Sequence, residues 1–558
     1  MKRFILFVAA CGSSHHPFPN ADPMTKDTDM RDVSVACRSD PSKDDPKHMN
    51  CAPEEYISPF IWDQVDNIGF ARVSRGLSIT VSGEARNVNA FDEVPDSSWF
   101  TNKPRDEHTR DDAPGACKAA DMLPSPDQVQ PGEWVIDHGK DNGSTLGFRI
   151  NIKGKGKFML KADDEGLPER ASAASVIGAA IYDEVGYYTS CEQVTFFKKE
   201  QLKLTPGLKV ILNSGVSHPF DEEALDKAIK STTHMPDGSI RMQASKWLPG
   251  QTIGPFRYIG TREDDPNDVI PHEDRRELRG GRILAAWLDH WDAREQNSMD
   301  VWFAANEKAK DSSPGHVVHY YLDTSDTMGG AVGIDDASRR LGHSYNFDFL
   351  DVGRSIITFG IEEYPWDRAV KLEGKEKFQY YSTRDFVPGD WKPFYPNPAF
   401  LRMTERDAAW MARKLARFKH EDIVRLVQLG KWQKPGDERF LTNTLEVRLQ
   451  RIFERYFSRI SPLGELRMAD GKICATDFAR LTNSFPGQYR YVAREHGKEL
   501  VIQSGDDGSV CITRPPAAST PTPITIRVRN GTRAGALVIH AFDEGKEIRL
   551  VGVDRPED

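Results

Sequence analysis

Apolar and polar positions alternate over 134–137, 147–152 and 157–161, with glycine-rich turns between the runs, and a period of two predicts three neighbouring strands. The pattern then changes period. From Pro168 to Gly186, Ala173, Val176, Ile177, Ala180 and Ile181 recur at helical spacing, with proline in the first turn and glycine at the end, so this stretch predicts a helix with one apolar stripe. Strand-like runs return at 194–197 and 242–248. Helices are predicted at 272–289, 405–418, 420–429 and 441–460, and Thr404 to Asp407 approaches a capping box.

After Pro462 the helical pattern stops. Ile524, Ile526 and Val528 alternate with polar residues, and Asp543-Glu544-Gly545 predicts a hairpin turn between 537–539 and 548–551. Near the other end, 56–65 predicts a short helix and 77–81 an alternating strand. Residues 89–100 then surround Phe91, Trp99 and Phe100 with acid, proline and serine, predicting an ordered surface loop pinned by its rings. The predicted fold class is α+β.

Composition narrows the field moderately. The 558 residues exceed what one core usually serves, and 38% hydrophobic with 28% charged residues describes a globular chain. A net charge of -10 gives no positive case for nucleic acid as main partner. No apolar run approaches the roughly 18 residues that predict a membrane span. Lys2 and Arg3 precede an apolar run to Ala10, and Val8-Ala9-Ala10-Cys11 looks like a bacterial lipobox, which predicts an exported protein anchored to a membrane by lipid on Cys11. The following stretch to about residue 50, polar and rich in Pro and Asp, predicts a flexible tether. Of seven cysteines, six then remain, an even number suited to disulfides outside the cytoplasm. The nearest neighbours in sequence, Cys37 with Cys51 and Cys474 with Cys511, are the favoured pairs.

The chemistry lies in an order of residues. Gly143 and Gly147 flank a turn; Lys161 ends a strand; a helix follows; His290-Trp291-Asp292-Ala293-Arg294-Glu295-Gln296-Asn297 lies just after a second helix; and an apolar strand from Val317 delivers Asp323 into Thr324-Ser325. His290 to Asn297 fits the His-x-Asp-x-x-x-x-Asn catalytic-loop spacing of protein kinases. The arrangement resembles the atypical branch of the protein-kinase-like superfamily, alongside HipA-type, CotH-type and phosphoinositide-kinase-like proteins. It is similar above all to bacterial exported proteins sharing Asp-Ser-Ser-Trp-Phe-Thr-Asn (Asp96 to Asn102), Asp-Asp-Pro-Asn-Asp (Asp264 to Asp268) and Arg-Arg-Glu-Leu-Arg-Gly (Arg275 to Gly280).

That resemblance implies a two-lobed fold, a β-rich N-lobe at 131–250 and a mostly helical C-lobe at 251–463. A signal and lipobox (1–11), a tether (12–52), an N-terminal extension (53–130) and a small β-rich module (464–558) surround it. It implies ATP and Mg²⁺ as cofactors. Lys161 would pair with the phosphates, beside Gly143 and Gly147; Asn297 and Asp323 would hold the metal; Asp292 would orient an acceptor hydroxyl. Glu169, in preference to Glu184, would be the helix partner of Lys161. Residues 245–248 fall where a hinge would meet adenine. The glycine pattern and the Asp323-Thr324-Ser325 triplet depart from ordinary kinases.

Two function classes therefore stand: a lipid-anchored phosphotransferase of the cell envelope acting on an unknown protein or small-molecule acceptor, or a catalytically inactive scaffold with the same fold. A third is a carbohydrate or protein binder working through the β-rich tail and the loop at Trp99. A metal-hydrolase cluster of Asp289, His290 and Asp292 is disfavoured because no second ligand group lies at suitable spacing. Arg275, Arg276 and Arg279 read most simply as the wet face of the second helix.

Overall fold

The computed structural model describes residues 29–39, 49–77, 83–104, 115–140, 145–163, 166–211, 217–230, 232–306, 313–329, 335–529 and 535–557. Cys11 and Gly143 lie outside the described residues, as does most of the predicted 77–81 strand, whose Leu77 closes a helix. The chain is a mixed α+β protein dividing into two compact units. Among described residues, one comprises Val88–Pro95 with 457–557, the other the remainder up to Tyr456.

The larger unit is built on a six-stranded sheet. Its spatial order is Glu192–Phe197, Ile240–Lys246, Gly156–Lys161, Gly147–Ile152, Trp134–Gly139 and Leu202–Leu204, antiparallel except for the last pair. Strand alternation sorts its two faces. Trp134, Ile136, Phe148, Ile150, Phe158, Leu160 and Met242 meet Leu225, Ala228 and Ile229 in one buried core. Each Leu, Ile, Phe or Met side chain among them contributes about 1.5–3 kcal/mol. Lys161, next after Leu160, therefore points to the opposite face.

That opposite face carries the helix Arg170–Val185, capped by Gly186 at φ 126°. The sequence pattern predicts one apolar stripe, yet the helix is buried nearly all round. Its Ala, Ser and Gly residues permit close packing on several sides. A second sheet orders Gln251–Thr252, Ser298–Ala304, Gly315–Tyr321 and Tyr188–Thr189, so strands continue well into the stretch expected to be mostly helical. Helices Arg276–Leu288, Glu405–Leu415, His420–Gln428 and Pro435–Phe457 follow the predicted segments closely, and Thr404 and Asp407 form the capping box.

Several expectations are corrected. Residues 29–39 are ordered rather than part of a tether: the Asp29 carboxylate accepts from Ser98 N and Oγ at 2.9 and 2.7 Å, and Val33 bridges Gly315. Trp99 is no surface residue. It is 1% exposed, stacked on His319 at 3.5 Å and edge-on to Phe256 and His272, which removes it as a binding platform. Arg275, Arg276 and Arg279 are likewise buried rather than wet. Arg276 and Arg279 pair with the buried Asp407. Arg275 stands over Trp99 and 4.0 Å from Asp268. The motifs 96–102, 264–268 and 275–280 thus share one interior polar cluster.

In the smaller unit an eight-stranded antiparallel sheet runs from Leu463–Ala469 to the hairpin of Leu537–Asp543 and Ile548–Asp554. The unit begins at Phe457 rather than 464 and takes in residues 88–95, since Val553 N donates to Ala90 O and Arg555 pairs with Asp92 at 2.7 Å. Three disulfides are present, Cys37–Cys51, Cys117–Cys191 and Cys474–Cys511. Cys474 and Cys511 face each other in strand register.

Candidate functional site

Lys161 leaves its strand on the helix side of the six-stranded sheet. Gly147 is its register partner, and a Cβ there would lie 2.3 Å from Leu160 O, so only glycine fits this crossing. The Lys161 ammonium reaches the Asp323 carboxylate at 2.9 Å. Burial alone would lower the lysine's pKa, but the charges of Asp323 and then Glu192 raise it.

Asp323 follows the strand Gly315–Tyr321 and adopts a left-handed backbone at φ 51°. Its loop is fastened to the helix Arg170–Val185. Thr324 Oγ1 donates to Ser175 O at 2.8 Å, Arg170 Nη1 donates to Ser325 O at 3.0 Å, and a Cβ on Gly178 would lie 2.7 Å from Thr324 Cβ. Burial pushes the Asp323 carboxyl upward. Lys161 and a 2.6 Å bond from Ser325 Oγ overcome that and hold it well below the usual carboxylate range.

The second half of the site is the loop after Arg276–Leu288, which Asp289 closes in a left-handed conformation. His290 Nδ1 shares a hydrogen bond of 2.8 Å with Tyr182. Burial pushes this imidazole down to about 4, against the nearby carboxylates, so it is a neutral interior prop at pH 7. Asn297 Nδ2 donates to Asp292 O at 2.9 Å and to Asp292 Oδ2 at 3.0 Å, and Arg294 pairs with Asp292 Oδ1 at 2.8 Å. With its donors so occupied, Asn297 presents Oδ1 as its remaining polar atom.

Asp326 joins the halves. Its Oδ2 accepts from Asp292 N at 3.0 Å, and His290 lies 3.6 Å from Oδ1. Burial first, and Asp326 second, push the Asp292 carboxyl up to about 7; burial and Asp323 do the same to Asp326. Three carboxylates, one amide oxygen and one ammonium therefore converge from two strand ends and two loops. Among the described residues no group of three or more His, Cys, Asp or Glu is arranged to hold a metal by itself. Asp323 and Asn297 with Asp326 are hard oxygen donors, the chemistry a Mg²⁺ ion sharing its remaining positions with phosphate and water takes.

Lys161, Gly147, Asp292, Asn297 and Asp323 thus come together. Glu169 does not join them. It binds Lys377 at 2.7 Å and accepts from Gln433 N at 3.0 Å, because it sits at the N-terminal end of its helix facing 377 and 433. Glu184 likewise pairs elsewhere, with Arg425 at 3.3 Å. The carboxylate acting on Lys161 from the sheet is Glu192, fully buried and accepting from Ser190, Ser245 and Gln243 at 2.6, 2.6 and 2.8 Å. Ser245, expected at a hinge, is occupied by this bond.

Sequence reasoning missed Asp326, Glu192 and Arg294. Asp326 carried a signal, three residues beyond Asp323 in the same loop. Glu192 carried one only if the partner of Lys161 is sought on a strand rather than on the helix.

No protein-family model matches the chain, and no curated protein does. Among solved structures, the Golgi casein kinase with Mn/ADP bound is similar at 11% identity and a TM-score of 0.23, covering 54% of this chain and 79% of that one. A second structure of the Golgi casein kinase gives 11% identity and a TM-score of 0.24, covering 71% and 90%. At these scores the likeness to an atypical kinase is weak and lends this chain no function.

Proposed function

We propose that the larger unit is an atypical kinase-like phosphotransferase that moves the terminal phosphate of ATP to an acceptor hydroxyl. One observation carries the reading: Lys161 and Asp323 meet at 2.9 Å beside Asp292, Asn297 and Asp326, although they come from separate sheets and loops. Such convergence of charge, with two carboxyls raised to about 7, suits phosphoryl transfer, which needs mainly positioning and charge neutralisation.

Asp323 and Asn297, with Asp326 beside them, would hold Mg²⁺. The ion would neutralise charge on the phosphate oxygens. Lys161, released from its ion pair, would take the phosphate oxygens as counter-charge, with Glu192 keeping the ammonium aimed. Asp292, with a pKa of about 7, suits a general base. It accepts the acceptor's hydroxyl proton as the new oxygen–phosphorus bond forms and the bond to the departing ADP breaks. Asn297 and Arg294 fix the Asp292 carboxylate for that step.

The setting proposed is the bacterial cell envelope, with lipid on Cys11 as anchor, facing the periplasm or cell surface. Three disulfides favour an oxidising compartment. Metabolic labelling with a fatty acid should tag the wild type and not Cys11→Ser.

The enzymatic reading is tested by thermal stabilisation. ATP with Mg²⁺ at about 100 times its dissociation constant should add about 2.7 kcal/mol, and chelation by EDTA should abolish the gain. Stabilisation without transfer to any envelope acceptor would favour the inactive scaffold. No stabilisation by nucleotide would likewise favour the scaffold and remove the enzymatic reading.

A further inference from the structure

The six-stranded sheet carries a second lysine on the face that bears Lys161. Lys140 follows the strand Trp134–Gly139, and its N–H donates to Gly147 O at 3.0 Å. The antiparallel pairing of Gly139 with Phe148 thus runs on by one residue. Side chains alternate between the faces of a strand, and the neighbours of this one agree. A Cβ on Gly139 would lie 2.4 Å from Phe220, a member of the buried core that also holds Phe148 and Leu160. Lys140, Gly147 and Lys161 therefore form one row across three strands, on the side away from that core. Neighbouring strands lie about 4.8 Å apart, which sets the two lysine backbones about 10 Å from each other with the glycine between them.

The glycine makes a notch between two cations. A Cβ there would lie 3.3 Å from Lys140 Cδ, so the stem of Lys140 borders the notch. Its half-buried ammonium donates to Thr145 O at 2.8 Å and so bends over the turn toward Gly147. The charge of Lys140 also reaches the far side of the notch. Burial raises the Asp323 carboxyl, and Lys161, Ser325 and then Lys140 bring it down. Both ammonium groups thus act on the carboxylate that faces the sheet from the loop after Gly315–Tyr321.

Two point charges about 10 Å apart at the backbone, with no side chain between them, match a chain of phosphates better than a single one. Lysine meets phosphate as a point charge, and a backbone without Cβ lets the phosphates come close. We infer that Lys140 is a second phosphate-binding lysine, which takes a different phosphate of the nucleotide from the one held by Lys161. An ammonium has three donors, so Lys140 can serve a phosphate oxygen while it holds Thr145 O. Lys140 so placed narrows the substrate of the proposed phosphotransfer site, on which its role rests. That site takes a nucleoside di- or triphosphate in preference to a monophosphate, which cannot meet both lysines.

A lysine that only clasped its turn through Thr145 would act by hydrogen bonding, which a glutamine also offers, and its charge would be immaterial. Calorimetric titration of ATP with Mg²⁺ into the full chain separates the two roles. Lys140→Gln should weaken ATP binding about tenfold or more, the loss of one charged hydrogen bond. Lys140→Arg, which keeps the charge, should recover most of the affinity. The loss in Lys140→Gln should shrink as KCl is raised, because salt screens an ammonium and not an amide. AMP should bind the wild type at least tenfold more weakly than ATP. The unfolding temperature of each ligand-free variant reports its fold; if Lys140→Gln does not fold, Lys140→Ala decides. Wild type that binds no ATP would overturn the phosphotransfer reading and the role of Lys140 with it. Wild type that binds ATP, with undiminished affinity in Lys140→Gln, equal losses in Lys140→Gln and Lys140→Arg, or equal affinity for AMP, would overturn the role of Lys140 alone.

Discussion

The Lys161 ammonium lies 2.9 Å from the Asp323 carboxylate, joining the last residue of a strand in the six-stranded sheet to the loop that follows the strand Gly315–Tyr321. Each ion holds the other charged against burial, so neither is indifferent to loss of its partner. A double-mutant cycle with Lys161→Met and Asp323→Asn, read by denaturant unfolding, should show a coupling of about 0.5–3 kcal/mol. Additive single effects would mean the pair is not formed in solution.

Asp292 is held by Asn297 and Arg294, and an asparagine in its place keeps the same size. Asp292→Asn should preserve Mg²⁺-dependent ATP binding and lower single-turnover phosphate transfer by about 10²–10⁴-fold, the range for loss of a general base. Unchanged transfer would assign the proton to another group.

Asp292 and Asp326 both titrate at about 7, above the ordinary carboxylate value of 3.8, because they are buried near like charge. The folded state therefore holds extra protons below pH 7. Their stabilising effect is lost as pH rises through 7, where both must ionise. The ligand-free protein should unfold at lower temperature at pH 8 than at pH 6, and Asp326→Asn should flatten that dependence. Mg²⁺ with ATP should protect more strongly at pH 8. A profile that is flat in the wild type would contradict the crowding of these carboxylates.

The two glutamates near the helix make opposite predictions. Glu169→Gln loosens Lys377 and should lower stability while leaving ATP affinity unchanged. Glu192→Gln weakens the charge that keeps Lys161 an ammonium and should weaken ATP affinity. Isothermal titration on both variants separates them; an ATP affinity weakened by Glu169→Gln and not by Glu192→Gln would contradict the role given to Glu192.

Much of this was legible in the chain because period and caps are local. The helix Arg170–Val185, the capping box at Thr404 and Asp407 and the C-terminal hairpin follow from patterns within a few residues. The meeting of Lys161, Asp292, Asn297 and Asp323 in one place follows from their order along the chain. Burial was harder to read. Trp99 and Arg275 lie in a string of Asp, Ser and Arg that reads as solvated, but these groups satisfy one another inside the protein. The partners of Glu169 are hidden for a similar reason: helix periodicity gives a face, whereas Lys377 and Gln433, distant in sequence, determine what meets it.

The most direct measurement is calorimetric titration of ATP into the full chain, with and without Mg²⁺, for the wild type, Lys161→Ala and Asp323→Ala. The account predicts saturable binding to the wild type only when Mg²⁺ is present. It predicts loss of that binding in Asp323→Ala and at least tenfold weakening in Lys161→Ala, with both variants folded. Absence of binding to the wild type, or undiminished binding to folded Asp323→Ala, would contradict it.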